Sequence, residues 1–229
     1  MNFSKTAILI FANSAHQEAV NKPFRESKAL FDLLNKETIQ KVKRSGLPHF
    51  LFSEEEQIGE TFGERYTNAI QFVYDQGFEN VITVGNDTPQ LQTSQLIETA
   101  KKLEDNPIIL GPSKDGGYYM MGLNKSQFNL ETFLNLPWQT SQLTKRISRL
   151  LAAEKIKIVF LKMLADIDSI ADIQSVLIAF RNIGSVLKKI LLVLFSSEKI
   201  IISYLPFSFQ NSSKENLFNK GSPLLLPIY

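Results

Sequence analysis

The sequence predicts an α/β protein in which a mostly parallel sheet lies between two layers of helices. Two observations support this three-layer class. Short apolar runs rich in β-branched residues recur along the chain, for example at 80–84 and 107–111, and such runs are typical of parallel strands buried on both faces. Between them lie longer segments with apolar residues at helical spacing, and this alternation is the pattern of strand–helix units.

The elements can be placed in order from these patterns. Gly46 and Gly77 each follow an amphipathic segment and are expected to end a helix. The run after Lys5 also has some features of an export signal, but it is short and only one positive charge precedes it, so a buried strand is favoured. Strands are predicted at 6–12, 48–52, 80–84, 107–111, 118–123 and 156–162, and helices at 24–45, 60–76, 93–104, 140–153 and 169–180.

The chain of 229 residues is long enough for one domain with an appendage. We expect a domain at 1–180 and a C-terminal extension at 181–229. The extension is rich in apolar residues and is expected to pack on the domain or on a second subunit, which would allow a homodimer. No apolar stretch reaches the ~20 residues that cross a bilayer, so no transmembrane segment is predicted.

The amino-acid composition limits the kinds of partner and metal site that the protein can have. The formal net charge of +2 is too small to indicate a nucleic-acid or membrane partner. The chain has no cysteine, which suits a cytoplasmic protein and excludes thiolate metal sites. With only His16 and His49, a zinc site is improbable. Any metal would therefore have oxygen ligands, which favours magnesium or manganese.

The most informative segment is 81–91, where a β-branched run ends at Gly85 and is followed by Asn86 and Asp87. In open α/β sheets, ligands bind at the carboxyl ends of the strands. A carboxylate there is a natural ligand for a divalent metal that carries phosphate. Thr88-Pro89 next resembles a helix start, with a threonine cap and proline at the first position. The alternative is that these residues only cap the helix.

A glycine-rich loop at 110–119 repeats this chemistry. Asp115 follows a predicted strand, and the glycines at 116 and 117 would allow close backbone approach to a ligand. A plain turn at Asp115-Gly116 explains the same residues. If the two strands are neighbours, Asp87 and Asp115 lie at one edge of the sheet.

A third acidic segment is 164–169, where Asp166 and Asp168 precede the last predicted helix. Helix capping by Asp168 or Ser169, with Asp172 completing a capping box, explains these residues well. A metal ligand or a hydrogen bond to a sugar hydroxyl is the functional alternative.

Taken together, these motifs resemble a bacterial family of glycosyltransferase-like proteins. Members of this family are often labelled radical-SAM/selenodomain-associated transferases, and their function is otherwise unknown. The similarity runs from about residue 56 to 178. The matching motifs are Gly-Asn-Asp-Thr-Pro-Gln-Leu at 85–91, Leu-Gly-Pro-Ser-Lys-Asp-Gly-Gly-Tyr-Tyr at 110–119, Leu-Ala-Asp-Ile-Asp-Ser at 164–169, Phe-Gly-Glu-Arg at 62–65 and Leu-Pro-Trp-Gln-Thr at 136–140.

The resemblance implies a GT-A fold, the architecture of nucleotide-diphospho-sugar transferases. It makes Asp87 the metal-binding acid of a degenerate Asp-x-Asp motif and places Asp168 near the same magnesium or manganese ion. Asp115 and Asp168 become the candidate catalytic residues. Gly116 and Gly117 would line the sugar or acceptor side, and the neighbouring Asn86 and Tyr118 are further candidates for substrate binding.

Two other residues are candidates for substrate binding. Arg65, at the start of a predicted helix, could reach a phosphate, although a surface ion pair is the commoner role of such a residue. Trp138 could stack on a base or a sugar ring, with core packing as the commoner role of a large aromatic residue.

The first loop differs from the family pattern. Family members usually have glycine and several cations after the first strand, where backbone N–H groups could surround phosphate. Here residues 13–25 contain no glycine, and Lys22, Arg25 and Lys28 are the cations that could replace that loop.

Three functions follow as hypotheses. The first is a metal-dependent glycosyltransferase that uses a nucleotide-sugar donor and an unknown acceptor. The second is a nucleotidyltransferase that acts on a nucleoside triphosphate. The third is a non-catalytic GT-A-like domain that retains part of the site for binding. The acidic motifs favour the first, and the glycine-free loop favours the third.

Overall fold

The computed structural model describes residues 5–179 and 187–194. Its six strands form one sheet. The predicted α/β class is confirmed, and every predicted strand and helix has a counterpart. The strands are β1 (Thr6–Phe11), β2 (His49–Phe52), β3 (Asn80–Val84), β4 (Ile108–Pro112), β5 (Tyr118–Asn124) and β6 (Ile158–Phe160), and the helices are α1 (Ala15–Asn21), α2 (Ser27–Arg44), α3 (Phe62–Asp75), α4 (Thr93–Lys102), α5 (Leu130–Leu134), α6 (Leu143–Ala153) and α7 (Ile170–Ala179).

The strand order across the sheet is β2-β1-β3-β5-β4-β6. The β1 strand is parallel to β2 and β3, and β4 is parallel to β6, whereas β5 is antiparallel to both of its neighbours. The carboxyl ends of β1, β3, β4 and β6 therefore share one edge with the amino end of β5. This edge is where ligands bind in open α/β sheets.

Helices cover both faces of the sheet and bury two apolar clusters. On one face, Tyr66 and Ile70 of α3 and Ile147 of α6 pack against strand residues such as Leu110. On the other, Val42 of α2 and Leu96 of α4 pack against Ile82 and Ile109. Strand β3 is buried along its whole length, which explains why its sequence is a continuous apolar run rather than an alternating one.

A third apolar cluster joins α2 and α7 to residues 187–194, which are helical. Leu187, Leu191 and Leu194 are buried there beside Phe31 and Ile173. The rest of the predicted extension at 181–229 lies outside the described residues, so the division of the chain at 180 and the homodimer remain predictions. Among the residues described, no helix is long and apolar enough to cross a membrane.

Two local predictions need correction. Thr88-Pro89 does not start a helix, because the Leu91 N–H donates to the Thr88 carbonyl at 3.2 Å and closes a single turn. The fixed φ of proline suits such a turn as well as a helix start. Helix α4 begins instead at Thr93, after a cap in which the Gln92 N–H donates to the Gln95 side chain at 2.8 Å.

The second correction concerns residues 13–25, which were expected to form a loop. Much of this segment is helix α1. Its N-terminus is stabilised because the Ser14 hydroxyl accepts a hydrogen bond from the Gln17 N–H at 3.2 Å.

Candidate functional site

Acidic residues follow three strands at the carboxyl edge of the sheet. Asp87 lies after β3, Asp115 after β4, and Asp168 in the segment after β6. All three line one cavity of about 850 Å³. The fold thus brings together carboxylates that are far apart in sequence. If these acids served only as turn residues and helix caps, they would have no reason to lie near one another.

Asp115, Asp166 and Asp168 form the tightest group, named here the acidic trio. One carboxylate oxygen from each lies within 4.8 Å of the others. Asp166 is buried, and the other two are partly buried. The segment that carries Asp166 and Asp168 is tied to Asp87, because the Ile167 N–H donates to the Asp87 carbonyl at 2.9 Å.

Lys22, at the end of α1, lies among these acids. Its Nζ is 2.8 Å from Asp168 Oδ1, 3.4 Å from Asp87 Oδ2 and 3.4 Å from Glu18 Oε2. It also donates to the Ile167 carbonyl at 3.3 Å. Of the cations proposed from the sequence, Lys22 reaches the acids, whereas Arg25 and Lys28 are exposed.

The electrostatics of this group favour the charged lysine. Burial by itself favours the neutral amine, but the carboxylates of Asp87, Glu18 and Asp168 outweigh that effect and raise the pKa of Lys22 above its ordinary value. Burial raises the pKa of Glu18, Lys22 opposes this shift, and the nearby charge of Asp87 adds to it. Lys22 therefore remains an ammonium ion at neutral pH.

The Asp115 loop is both a turn and a wall of the cavity. The Asp115 carboxylate accepts hydrogen bonds from the Ser113 hydroxyl and from the Gly117 N–H, the latter at 3.1 Å. Gly116 has a φ of +92°, and a Cβ there would lie 2.2 Å from the Ser141 carbonyl oxygen. Only glycine fits this position. The loop is therefore a tight turn whose Asp115 and Gly117 also line the cavity, and its role in binding stays a prediction.

Aromatic residues also line the cavity. Phe62, Tyr66, Tyr118 and Trp138 all line it. The Tyr118 hydroxyl lies 3.1 Å from that of Tyr66, which in turn bonds to the Thr83 hydroxyl at 2.5 Å. Burial raises the pKa of Tyr66 to about 12, so this network is neutral.

The indole of Trp138 is packed against other aromatic residues, and its stacking on a ligand stays a prediction. Its indole N–H donates to the Phe133 carbonyl at 2.7 Å, and its ring lies 5.0 Å from that of Tyr66. It also touches the position of Gly63, where a Cβ would lie 2.6 Å from the indole. Trp138 is therefore a packed residue with one surface on the cavity.

The remaining candidates also reach the cavity. The Arg65 guanidinium donates to the Glu60 carbonyl at 2.8 Å, and its side chain lines the opening. Asn86 is buried, and its amide donates to the Asn35 side chain at 2.8 Å. That bond joins the Asp87 loop to α2, so the amide group of Asn86 has a structural partner.

Sequence reasoning assigned no role to two members of the site, Asp166 and Glu18, and did not distinguish a third, Lys22, from two other cations. Asp166 was noted only as a neighbour of Asp168, yet in an extended segment residues two apart share a face, and this spacing could have identified it. Glu18 had no signal of its own. Lys22 could not be aligned with the cations of the family's first loop. The acids that Lys22 contacts are distant in sequence, so nothing near it in the chain distinguished it from Arg25 and Lys28.

Residues 35–140 match the model of a family described as an uncharacterized protein conserved in bacteria (DUF2064). Over this segment the chain is similar to the DUF2064 family. The sequence motifs predicted a resemblance to a bacterial family with a GT-A-like fold. That prediction is confirmed. No curated protein is similar enough in sequence to be matched with the chain.

Two solved structures are similar to this chain in fold to different degrees. A protein from Desulfovibrio desulfuricans G20, provisionally named a nucleotide-diphospho-sugar transferase, is 18% identical, with a TM-score of 0.72 over 87% of this chain and 97% of that chain. A cytidylyltransferase from Leptospira borgpetersenii is 15% identical with a TM-score of 0.45, over 90% and 99% of the two chains. The first likeness shows a shared nucleotide-diphospho-sugar transferase fold, and the second supports no further conclusion.

The donor set of the acidic trio fits a divalent cation. The acidic trio offers only carboxylate oxygens, which are the ligands that magnesium and manganese prefer. Three carboxylates at such close range repel one another unless a cation lies near them. The geometry is therefore suited to a hard divalent ion, and it does not distinguish magnesium from manganese.

Proposed function

We propose that this protein is a metal-dependent glycosyltransferase that uses a nucleotide-sugar donor. The observation that carries the proposal is the convergence of Asp87, the acidic trio and Lys22 on one cavity. A site with both acids and a buried ammonium can hold a metal ion and the diphosphate that the ion neutralises. The cavity of about 850 Å³ is within the range of ligand sites for molecules of this size.

The acidic trio would hold the divalent ion, with Asp168 shared between the ion and Lys22. A bound Mg²⁺ or Mn²⁺ would supply charge stabilisation for the diphosphate leaving group. Lys22 would add a fixed positive charge on the other side of that group, at a position already prepared by the protein. Arg65, at the opening, is the next cation that could contact phosphate.

The remaining proposed roles follow from position in the cavity. Asp115, held by its own loop, would accept a proton from the acceptor hydroxyl or orient it. The backbone of Gly117, which lines the cavity, would border the sugar. Gly116 does not line the cavity but abuts Ser141, and it would act by fixing the shape of the loop. Phe62 and Trp138 provide apolar ring faces on which a base or a sugar ring can stack.

The direct test is product release. The protein would be incubated with Mn²⁺, a panel of nucleotide sugars and a panel of acceptors, and nucleoside diphosphate would be measured. In parallel, pyrophosphate would be measured with nucleoside triphosphates and sugar phosphates. We expect diphosphate from at least one nucleotide sugar, and its release should fall strongly in Asp168→Asn and Asp115→Asn.

Asp32→Asn is the matched control, because Asp32 is an exposed acid on α2 that pairs with Lys28. This variant should retain full activity. Pyrophosphate as the only product would replace the proposal with a nucleotidyltransferase. Neither product, from folded protein that still binds a nucleotide, would favour the non-catalytic binding domain.

A further inference from the structure

Gln139 has an unusual backbone conformation at a turn that lines the cavity. Its φ is +58°, in the left-handed region that residues with a Cβ rarely adopt. Among the residues that the structure describes, Glu26 and Lys155 are the other non-glycine residues with positive φ. Lys155 closely follows α6, where a left-handed residue commonly ends a helix. Gln139 lies instead within the connection between α5 and α6.

The turn around Gln139 is fixed by hydrogen bonds on both sides of it. The Thr140 hydroxyl donates to the Pro137 carbonyl at 2.7 Å. The Trp138 indole N–H donates to the Phe133 carbonyl at 2.7 Å. Gln139 is half-buried and lines the cavity together with Trp138 and Thr140. Its side chain is therefore part of a built cavity surface and not of an exposed loop tip.

This turn is also joined to the Asp115 loop. The Thr144 N–H donates to the Gly116 carbonyl at 3.1 Å, and the Thr144 hydroxyl donates to the Gly117 carbonyl at 2.7 Å. Ser141 lies so close to Gly116 that a Cβ on the glycine would be 2.2 Å from the Ser141 carbonyl oxygen. The turn therefore lies on the part of the cavity surface that adjoins the Asp115 loop, where the proposed function places the sugar.

The chemistry of Gln139 suits a sugar. Its amide is uncharged and offers both an acceptor oxygen and N–H donors, so it can bond to hydroxyl groups, which donate and accept. The neighbouring Trp138 adds an apolar ring face, and a sugar ring presents apolar C–H groups beside its hydroxyls. The backbone alone does not explain a glutamine here, because glycine would adopt this φ without strain. Strained residues of this kind cluster at ligand sites.

We propose that Gln139 recognises the sugar of the nucleotide-sugar donor by hydrogen bonds to its hydroxyl groups. The turn holds the amide in place before the donor binds, and this preorganisation reduces the entropy lost on binding. The diphosphate is bound by other residues of the cavity, so Gln139 affects the affinity for the sugar and not for the nucleotide. This inference rests on the proposed function for its ligand, and it extends that function by naming the residue that recognises the sugar.

Isothermal titration calorimetry with Mn²⁺ and no acceptor tests this role. The probes are the nucleotide sugar from the panel above that binds most tightly and the nucleoside diphosphate that it contains. Gln139→Ala keeps the Cβ and the left-handed conformation but removes the amide. It should weaken binding of the nucleotide sugar by about tenfold, the value of one or two neutral hydrogen bonds, and leave binding of the nucleoside diphosphate unchanged.

Glycine variants separate the amide from the strain. Gln139→Gly removes both. Lys155→Gly is the matched control, because it relieves the same φ at an exposed residue that does not line the cavity. Relief of the left-handed strain exceeds the entropy cost of ordering glycine, so both variants should have a Tm raised by roughly 1–4 °C. Only Gln139→Gly should lose affinity for the nucleotide sugar.

Three results would overturn the inference. One is an unchanged affinity of folded Gln139→Ala for the nucleotide sugar. Another is an equal loss of affinity for the nucleoside diphosphate, which a purely structural role would give. The third is a lower Tm for Gln139→Gly, which would contradict the strained turn.

Failure of this inference can be told from failure of the proposed function. If the unaltered protein binds no nucleotide sugar, the proposed function fails and this inference fails with it. If the unaltered protein binds a nucleotide sugar and releases diphosphate from it, but Gln139→Ala does so equally well, the proposed function stands and only this inference is lost.

Discussion

Replacing Gly116 by alanine tests whether the Asp115 loop is built against the segment that precedes α6. Alanine at a φ of +92° adopts a left-handed conformation, which costs roughly 1–2 kcal/mol. Its Cβ would also lie 2.2 Å from the Ser141 carbonyl oxygen and 2.8 Å from the Ser141 carbonyl carbon. These are backbone atoms, so the loop itself must move, and overpacking of this kind costs a further ~1–3 kcal/mol.

Gly77→Ala is a matched control for that change. Gly77 has a φ of +91°, but a Cβ there would meet no atom within 4 Å. Both variants carry the same backbone strain, and only Gly116→Ala carries the overlap with Ser141. We therefore expect Gly116→Ala to be less stable than Gly77→Ala by about 2 kcal/mol, the middle of the range for overpacking.

Thermal unfolding followed by circular dichroism measures this difference. For a chain of this size, about 2 kcal/mol corresponds to a Tm lower by roughly 4–8 °C. Displacement of the loop should also weaken Mn²⁺ binding in Gly116→Ala, since Asp115 accepts the Gly117 N–H, and Gly77→Ala should bind normally. Equal Tm values for the two variants would refute the close approach of Gly116 and Ser141.

Three further predictions concern the cap of α3 and the aromatic wall. Thr61→Ala removes the capping box of α3, in which the Thr61 hydroxyl accepts a hydrogen bond from the Glu64 N–H at 3.2 Å. The free energy of unfolding, measured with urea, should fall by about 1 kcal/mol. An unchanged urea midpoint would argue against the cap. The pKa of Tyr66 is raised to about 12 by burial. Above about pH 10 the unfolded chain loses a proton that the folded protein keeps, and stability should fall as pH rises. In Tyr66→Phe the free energy of unfolding should fall less steeply with pH. Equal pH dependence in Tyr66→Phe and the unaltered protein would argue against a raised pKa for Tyr66. Trp138 is the sole tryptophan and lines the cavity, so binding of a nucleotide sugar with Mn²⁺ should change tryptophan fluorescence, whereas binding without any change would place the ligand elsewhere.

The strands could be predicted because burial on both faces leaves a clear mark on sequence. Residues 80–84 are buried throughout, and their apolar run can be recognised without any partner. The orientation of β5 could not be predicted in this way. Its residues are as apolar as those of a parallel strand, and its antiparallel pairing with β3 and β4 depends on long-range contacts.

Helix α1 was missed for a different physical reason. It is seven residues long, and only Ala15 and Glu18 are buried in it, so it has no apolar stripe. What stabilises this segment is electrostatic and distant in sequence: Lys22 contacts Asp87, which is 65 positions away. A contact of that kind has no periodicity, so the sequence could offer Lys22 only as one of three possible cations, beside Arg25 and Lys28.

The replacement of a glycine-rich loop by α1 changes how this edge of the sheet can hold phosphate. A glycine-rich loop offers backbone N–H groups, which are neutral donors with fixed directions. Helix α1 offers instead the Lys22 ammonium, a full charge already paired with Asp87, Asp168 and Glu18. A diphosphate that enters must therefore compete with carboxylates for Lys22, and a divalent ion on the acidic trio would reduce that competition by neutralising Asp168. If the proposed function holds, metal and diphosphate would bind cooperatively, and Lys22 would bind phosphate in place of the glycine-rich loop that is absent at 13–25.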